Sequence, residues 1–168
     1  GWGMVGPFYY LYVSQIGGSV EEFGIAFGIM TFFSALVGLF AGRFSDKIGR
    51  KPILIVMSFL YAGVVFSYTL ITSIIHLYII QALYGMLNAV DDTVHTSYLA
   101  DITKKRKRGA QLGAYSFLID MVSGVSIILA GFLIGDSGFK IIFYIGSVLI
   151  LLGTFFLFGL KERVRKNW

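Results

Sequence analysis

The sequence predicts an all-α integral membrane protein with six transmembrane helices and both termini on the cytoplasmic side. Three observations carry this: charge is scarce, uncharged stretches of membrane-spanning length recur, and nearly all the cations fall on one side of the resulting topology. Only 14% of the 168 residues are charged and 57% are hydrophobic, against about 25% and about 45 to 50% in soluble domains. The 17% aromatic residues and 21 glycines agree, because membrane helices tolerate glycine and place Trp and Tyr near their ends. The absence of cysteine excludes a disulfide scaffold, and the apolar content excludes disorder.

A spanning helix needs about 20 mostly apolar residues. Gly1 to Val20 carries no charge and predicts a first helix over 1–16, short for a span. The sequence starts without Met, so residues are expected to precede it. It lacks the basic n-region and small-residue cleavage site of a signal peptide. Phe23 to Gly42 predicts a second helix over 23–42. Pro52 to Val90 runs 39 residues without a charge, which suits two spans, 52–71 and 76–98, folded near Thr72, Ser73 and His76. The second of these must pass Val90, since stopping there leaves about 14 residues, too few to cross. Gly109 to Gly135 contains only Asp120 and predicts 110–134; Ile141 to Leu160 predicts 141–160. The whole of 1–168 is expected to be one domain.

Orientation follows from the cations. Arg43, Lys47, Arg50 and Lys51 follow the second helix, Lys104 to Arg108 the fourth, and Lys161, Arg163, Arg165 and Lys166 the sixth. Lys140 stands alone on the other side. Basic loops are retained in the cytoplasm, which puts both termini there and the chain in the plasma membrane. The Lys104–Arg108 run is read as topogenic charge that touches anionic lipid headgroups; in so hydrophobic a chain a nucleic-acid partner is not expected.

The loop after the second helix reads Gly42-Arg43-Phe44-Ser45-Asp46-Lys47-Ile48-Gly49-Arg50-Lys51-Pro52. Gly42 and Gly49 allow close approach and positive φ at a sharp turn. Asp46 suits a helix N-terminus, where negative charge is favoured. Here the sequence resembles the major facilitator superfamily, whose signature at this place is G-x-x-x-D-[RK]-x-G-[RK]-[RK]; Gly42, Asp46, Lys47, Gly49, Arg50 and Lys51 match it. Pro7 in an aromatic first helix, Gly85 in the fourth and the Asp101–Gly109 segment are similar to the N-terminal-type half of that family. The resemblance implies a six-helix half built as a 3+3 inverted repeat, helices 4 and 5 facing a central cavity, helices 3 and 6 outside, and Asp46 and Arg50 as gating residues with Asp101 and Arg108 as charge partners. Two departures set the chain apart from drug–proton antiporters: Gln81 stands where many members carry Arg, and helix 5 lacks the G-P-x-x-G-G pattern. A weak internal echo fits the repeat, since Ala41-Gly42, Gly49 and Lys51 recur at the same spacing as Ala130-Gly131, Gly138 and Lys140.

Polar residues inside the spans are the candidate site. At about 100° per residue, Gln81, Gly85, Asn88, Asp92 and His95 share one face of helix 4, with Asp91 beside them. Asp120 sits near the middle of helix 5. An ionised carboxylate at that depth costs several kcal/mol, about 2.5 to 3.5 by insertion scales, unless it is paired, hydrated or protonated. Two readings stay open. In one, Gln81, Asn88, Asp91, Asp92, His95 and Asp120 line a cavity that binds solute or carries a coupling proton; in the other, His95 pairs locally with Asp91 or Asp92 and Asp120 bonds to a neighbouring helix. Trp2, Phe8, Tyr9, Tyr10 and Tyr12 around Pro7 form either an aromatic cavity wall or an interface anchor. The G-x-x-x-G pairs Gly24/Gly28, Gly38/Gly42, Gly109/Gly113 and Gly131/Gly135 are read as helix packing. No catalytic, nucleotide-binding or metal motif occurs, so neither an enzyme nor a cofactor is expected.

The function expected is secondary transport of a small solute by alternating access, with a proton as a possible coupling ion. The chain would act as a half-sized homodimer or as part of a twelve-helix carrier. The alternative is a six-helix scaffold or accessory subunit that does not transport.

Overall fold

The computed structural model describes residues 6–103 and 105–159, and of these not the side chains of Phe44, Asp46, Lys47, Lys105 and Leu157. Trp2, Lys104 and the basic residues from Lys161 to Lys166 lie outside the described residues. The described residues form six α-helices and no strand. These are α1 (Tyr9–Gln15) behind a 3-10 turn at Gly6–Phe8, α2 (Val20–Ile48), α3 (Arg50–Ser67) extended by a 3-10 turn at Tyr68–Leu70, α4 (Ile74–Ile102), α5 (Arg108–Ser137) behind a 3-10 turn at Lys105–Lys107, and α6 (Lys140–Gly159).

Local chemistry sets the helix ends. Ser19 opens α2: Glu22 accepts from its backbone N–H and Glu21 from its hydroxyl, each at 2.5 Å, so a capping box and two acidic residues meet the positive end of the helix. α2 stops at Gly49, whose φ of 97° is open to glycine and costly for other residues; its N–H reaches back to the Ser45 carbonyl at 3.1 Å. α3 begins at once, with Pro52 in its first turn, where a missing N–H costs nothing. Ser73 caps α4 by accepting from the His76 N–H at 3.4 Å. Gly138, at φ 76°, ends α5 as Gly49 ends α2.

α2 (Val20–Arg43), α3 with its terminal turn (Arg50–Leu70), α4 (Ile74–Ile102) and α5 (Arg108–Ser137) are each long and apolar enough to cross a membrane, while the apolar stretch of α6, Lys140–Phe156, is shorter. The large exposed side chains suit lipid rather than water: Phe156 is 81% exposed, Phe132 73% and Leu39 73%.

α2 and α4 run parallel in close contact. A methyl group on Gly38 would lie 3.9 Å from the Ala89 side chain and one on Gly42 3.8 Å from that of Thr93, so the contact advances four residues along each helix at once. α3 packs against α4 and, antiparallel, against α6. The core joins α1 to the α3–α6 pair through rings: Tyr12 meets Phe143 at 4.9 Å edge-on, and Phe143 stacks on Tyr68 at 5.1 Å, contacts worth roughly 0.5–1.5 kcal/mol each beyond the area they cover.

Several expectations change here. The motif from Gly42 to Pro52 is not a loop; α2 continues through it to Ile48, and Gly49 alone is the joint. Gly42 is helical, its small size serving the contact with Thr93. Within this half α3 is the most enclosed of the four long apolar helices, and its lack of charge suits burial as well as lipid. Tyr9 and Tyr12 belong to the core rather than to a cavity wall. Of the glycine pairs, only Gly38/Gly42 has a neighbour within 4 Å at both members.

Candidate functional site

The polar residues in the middle of α4 divide between two neighbouring helices. Asn88 and Asp92, one turn apart, face α3: Tyr61 donates its hydroxyl hydrogen to Asn88 Oδ1 at 3.2 Å, and Asn88 Nδ2 donates to Asp92 Oδ2 at 3.0 Å. Tyr84 packs edge-on against Tyr61, ring centres 5.5 Å apart. His95 faces α5, its Nε2 3.0 Å from the Tyr115 hydroxyl. Asp91, one turn before His95, is half-buried, while Asp92 is exposed. At about 100° per residue the four share one sector of about 100°, with Asp92 and Asp91 at its edges and Asn88 and His95 about 20° apart between them, so the split is made by the tyrosines that the neighbouring helices bring rather than by helical spacing.

Gln81 sits apart from this group. It is buried, and its carboxamide is held at both ends: Tyr68 donates to Oε1 at 3.1 Å, and Nε2 donates to the Tyr9 hydroxyl. Tyr12 in turn donates to the Tyr68 carbonyl at 2.6 Å. This chain of bonds joins α1, the end of α3 and α4, and leaves the Gln81 carboxamide no face toward a solute. Asp120 lies exposed on α5 with no hydrogen-bond partner among the described residues. The structure brings it to none of the α4 acids.

At the end where the cations gather, three basic side chains bind the helix ends. Arg50, at the start of α3, forms an ion pair with Asp101 and donates to the Ser97 carbonyl at 2.6 Å, both on the last turns of α4. Arg108 donates to the Ala100 carbonyl at 2.7 Å and to Thr103 Oγ1 at 3.2 Å, closing the C-terminus of α4. Lys51 donates to the Phe158 carbonyl near the end of α6 at 2.9 Å. Cations are favoured at such helix C-termini, where carbonyls lack helical partners. Asp46 and Lys47 lie in the last turns of α2, and their side chains fall outside those described. Arg43, Arg106 and Lys107 are exposed.

Sequence reasoning missed Tyr61, Tyr115 and Tyr68 and named Tyr9 only as an aromatic ring of the first helix; each completes a polar contact from a different helix. Their spacing along the chain, 27, 20, 13 and 72 residues from their partners, holds no signal that periodicity could read.

Residues 1–167 match the sequence profile of the Major Facilitator Superfamily. The chain is 31% identical over 149 residues to the uncharacterized MFS-type transporter YitZ of Bacillus subtilis (strain 168), covering 89% of this chain and 91% of that protein. It is 31% identical to YuxJ of the same organism, another uncharacterized MFS-type transporter, over 95% of this chain but 42% of that protein. It is 29% identical to the multidrug resistance protein MdtG of Dickeya zeae (strain Ech586), over 96% of this chain and 41% of that one. The chain thus spans nearly all of one relative and about two-fifths of the longer ones.

Proposed function

The chain belongs to the major facilitator superfamily, and from that membership we propose that it is one six-helix half of a secondary transporter that moves a small solute by alternating access. YitZ and YuxJ are named as MFS-type transporters, and the four long apolar helices of this chain make it a multi-pass membrane protein. In this reading residues 1–168 form one domain with six spans, a 3+3 inverted repeat and cytoplasmic termini in the plasma membrane. The second half is a second copy or the rest of a twelve-helix chain.

The observation that carries the reading is the exposure of Asp92 and Asp120 partway along α4 and α5. A carboxylate exposed at that depth toward lipid would be costly, so these faces suit a water-filled path that solute or a coupling proton uses. The fixed charge offered to a solute there is negative, because the described basic residues lie at helix ends. Arg50 with Asp101 serves as a latch at the cytoplasmic end; Gly49 is the joint beside it, Gly42, Asp46 and Lys47 belong to the last turns of α2 that lead into it, and Lys51 ties the start of α3 to α6. The MdtG relative, multidrug by name, makes amphiphilic organic solutes the first class to test.

Reconstitution in liposomes, with uptake of a fluorescent organic cation driven by a proton gradient, tests the proposal. Asp92→Asn and Asp120→Asn should still insert and assemble while losing at least about tenfold in rate, the scale of one lost charge contact. An unchanged transport rate in the double variant would remove these acids from the mechanism. Absence of flux across a broad solute panel would favour the scaffold reading. The mass of the detergent-free particle, against 18.6 kDa for one chain, tells a homodimer from a half that awaits a partner.

A further inference from the structure

The joints after α2 and α5 are built alike. Gly49 and Gly138 both have positive φ, both return their N–H to the carbonyl four residues earlier, and the residues Ala41 and Ala130 ahead of them are both buried. Lys51 and Lys140 stand two residues beyond these glycines, in the first turns of α3 and α6. α3 and α6 are antiparallel, with Phe66 against Tyr144 and Tyr68 against Phe143. Each lysine therefore stands near the C-terminal end of the other helix.

At the basic end the contact is made, with Lys51 on the Phe158 carbonyl at 2.9 Å. At the far end it is not. Lys140 is exposed and has no hydrogen-bond partner among the described residues. It lines, with Tyr12, Gln15, Ile71 and Ser137, a cavity of about 400 Å³ between the end of α1, the end of α3 and the α5–α6 joint. The register that pairs Gly49 with Gly138 also pairs Phe158 with Thr69, one residue inside the 3-10 turn that ends α3. The last carbonyls of that turn are the counterparts of the group Lys51 already holds.

We propose that Lys140 is a positioning residue for the far end of the helix pair: on closure its ammonium enters this cavity and caps the carbonyls of Thr69 to Ile71, as Lys51 caps α6 at the basic end. The two lysines then mark opposite states, one cap closed while the other is open. The proposal rests on the alternating-access reading above, and adds to it which side chain holds the second state. A cation at a helix C-terminus biases an equilibrium by roughly two- to fivefold, enough to tune a balance between two states without locking either.

The chain has no cysteine, so labels can be placed at will. Gln15 and Ser137 both line the cavity, from α1 and α5; spin labels on Gln15→Cys and Ser137→Cys in nanodiscs report its width by pulsed electron resonance. The parent should show a wide and a narrow population. Lys140→Gln should reduce the narrow one two- to fivefold, Lys140→Arg should restore it, and Lys51→Gln should enlarge it by releasing the opposite cap. A distance distribution in Lys140→Gln identical to that of the parent overturns the proposal, as does a parent with one width that none of the three substitutions changes. The readout needs no solute: a cap-dependent narrow population in a protein without flux would overturn the transport reading while leaving the role of Lys140 intact.

Discussion

Gly85 on α4 lies directly against the backbone of Met30 on α2: a methyl group added to its α-carbon would fall 2.1 Å from the Met30 carbonyl oxygen. Backbone cannot yield as a side-chain tip can, so the whole α2–α4 pair would have to separate. Gly85→Ala is expected to cost about 3 kcal/mol or more, the upper range for overpacking. Gly63 on α3, with nothing within 4 Å of the same added atom, is the control. Gly63→Ala should be neutral or stabilising by up to about 1 kcal/mol, since alanine is the better helix former. Thermal unfolding in detergent of the two variants side by side checks both signs.

Gln81 joins three helices through two tyrosines, and its removal leaves buried polar atoms without partners. Gln81→Leu should destabilise by about 1–3 kcal/mol, the cost of orphaning a buried donor or acceptor, and Tyr68→Phe by about 1 kcal/mol. The solute affinity of the folded fraction should not change, because the carboxamide is spent on Tyr9 and Tyr68. A large shift in apparent KM with unchanged stability would show instead that Gln81 contacts the solute. Gln81→Arg, which installs the residue many family members carry here, should fail to fold, since neither tyrosine compensates a buried cation.

The legibility of the fold and of the site differ for a physical reason. Helix ends are written locally: Ser19 with Glu22, Ser73 with His76, and the glycines at 49 and 138 each act within four residues of themselves. The helical class and the four long apolar helices were therefore readable from the chain alone, as the family was from the motif. The motif at Gly42–Pro52 misled in one respect, because a run of charges beside two glycines looks like a loop, whereas the Gly42 backbone stays helical to fit against Thr93. The resemblance named Arg50 and Asp46 with Asp101 and Arg108 as charge partners; Arg50 meets Asp101, Arg108 closes α4, and the Asp46 side chain lies outside those described. The tyrosines that complete the polar contacts could not be singled out, since any of 10 tyrosines could have faced a partner on another helix until packing chose among them.

The Arg50–Asp101 pair is half open to solvent, at 24% and 49% side-chain exposure, and pairs of this kind contribute about 0–1 kcal/mol. Asp101→Asn should therefore change stability by less than about 1 kcal/mol. Arg50→Gln should cost somewhat more, because the Ser97 carbonyl also loses its donor. A double-mutant cycle should give a coupling near 0.5 kcal/mol in low salt that shrinks in concentrated salt. If the pair is a latch, the effect on transport rate will exceed what this small stability change accounts for. A coupling insensitive to salt would argue that the contact is shielded and structural.

Tyr115 and His95 supply a cross-helix polar contact to α5, the helix whose main packing neighbour is α6. Only 6% of the most apolar stretch of α5 is buried, against 39% for α3, so apolar packing within this half contributes little to holding it. Tyr115→Phe keeps the ring beside His95, 5.7 Å between centres, and deletes the hydroxyl alone, at a cost of about 1 kcal/mol. Because so little else holds α5 to α4, that loss should appear as faster amide hydrogen exchange along α5 in nanodiscs, by roughly fivefold for a change of 1 kcal/mol, with α3 and α4 unaffected. Tyr144→Phe, at an exposed position on α6, should leave exchange everywhere as it was. Equal acceleration along all helices in Tyr115→Phe would mean that the hydroxyl supports the fold as a whole; confinement to α5 identifies it as the tether of the helix that carries Asp120.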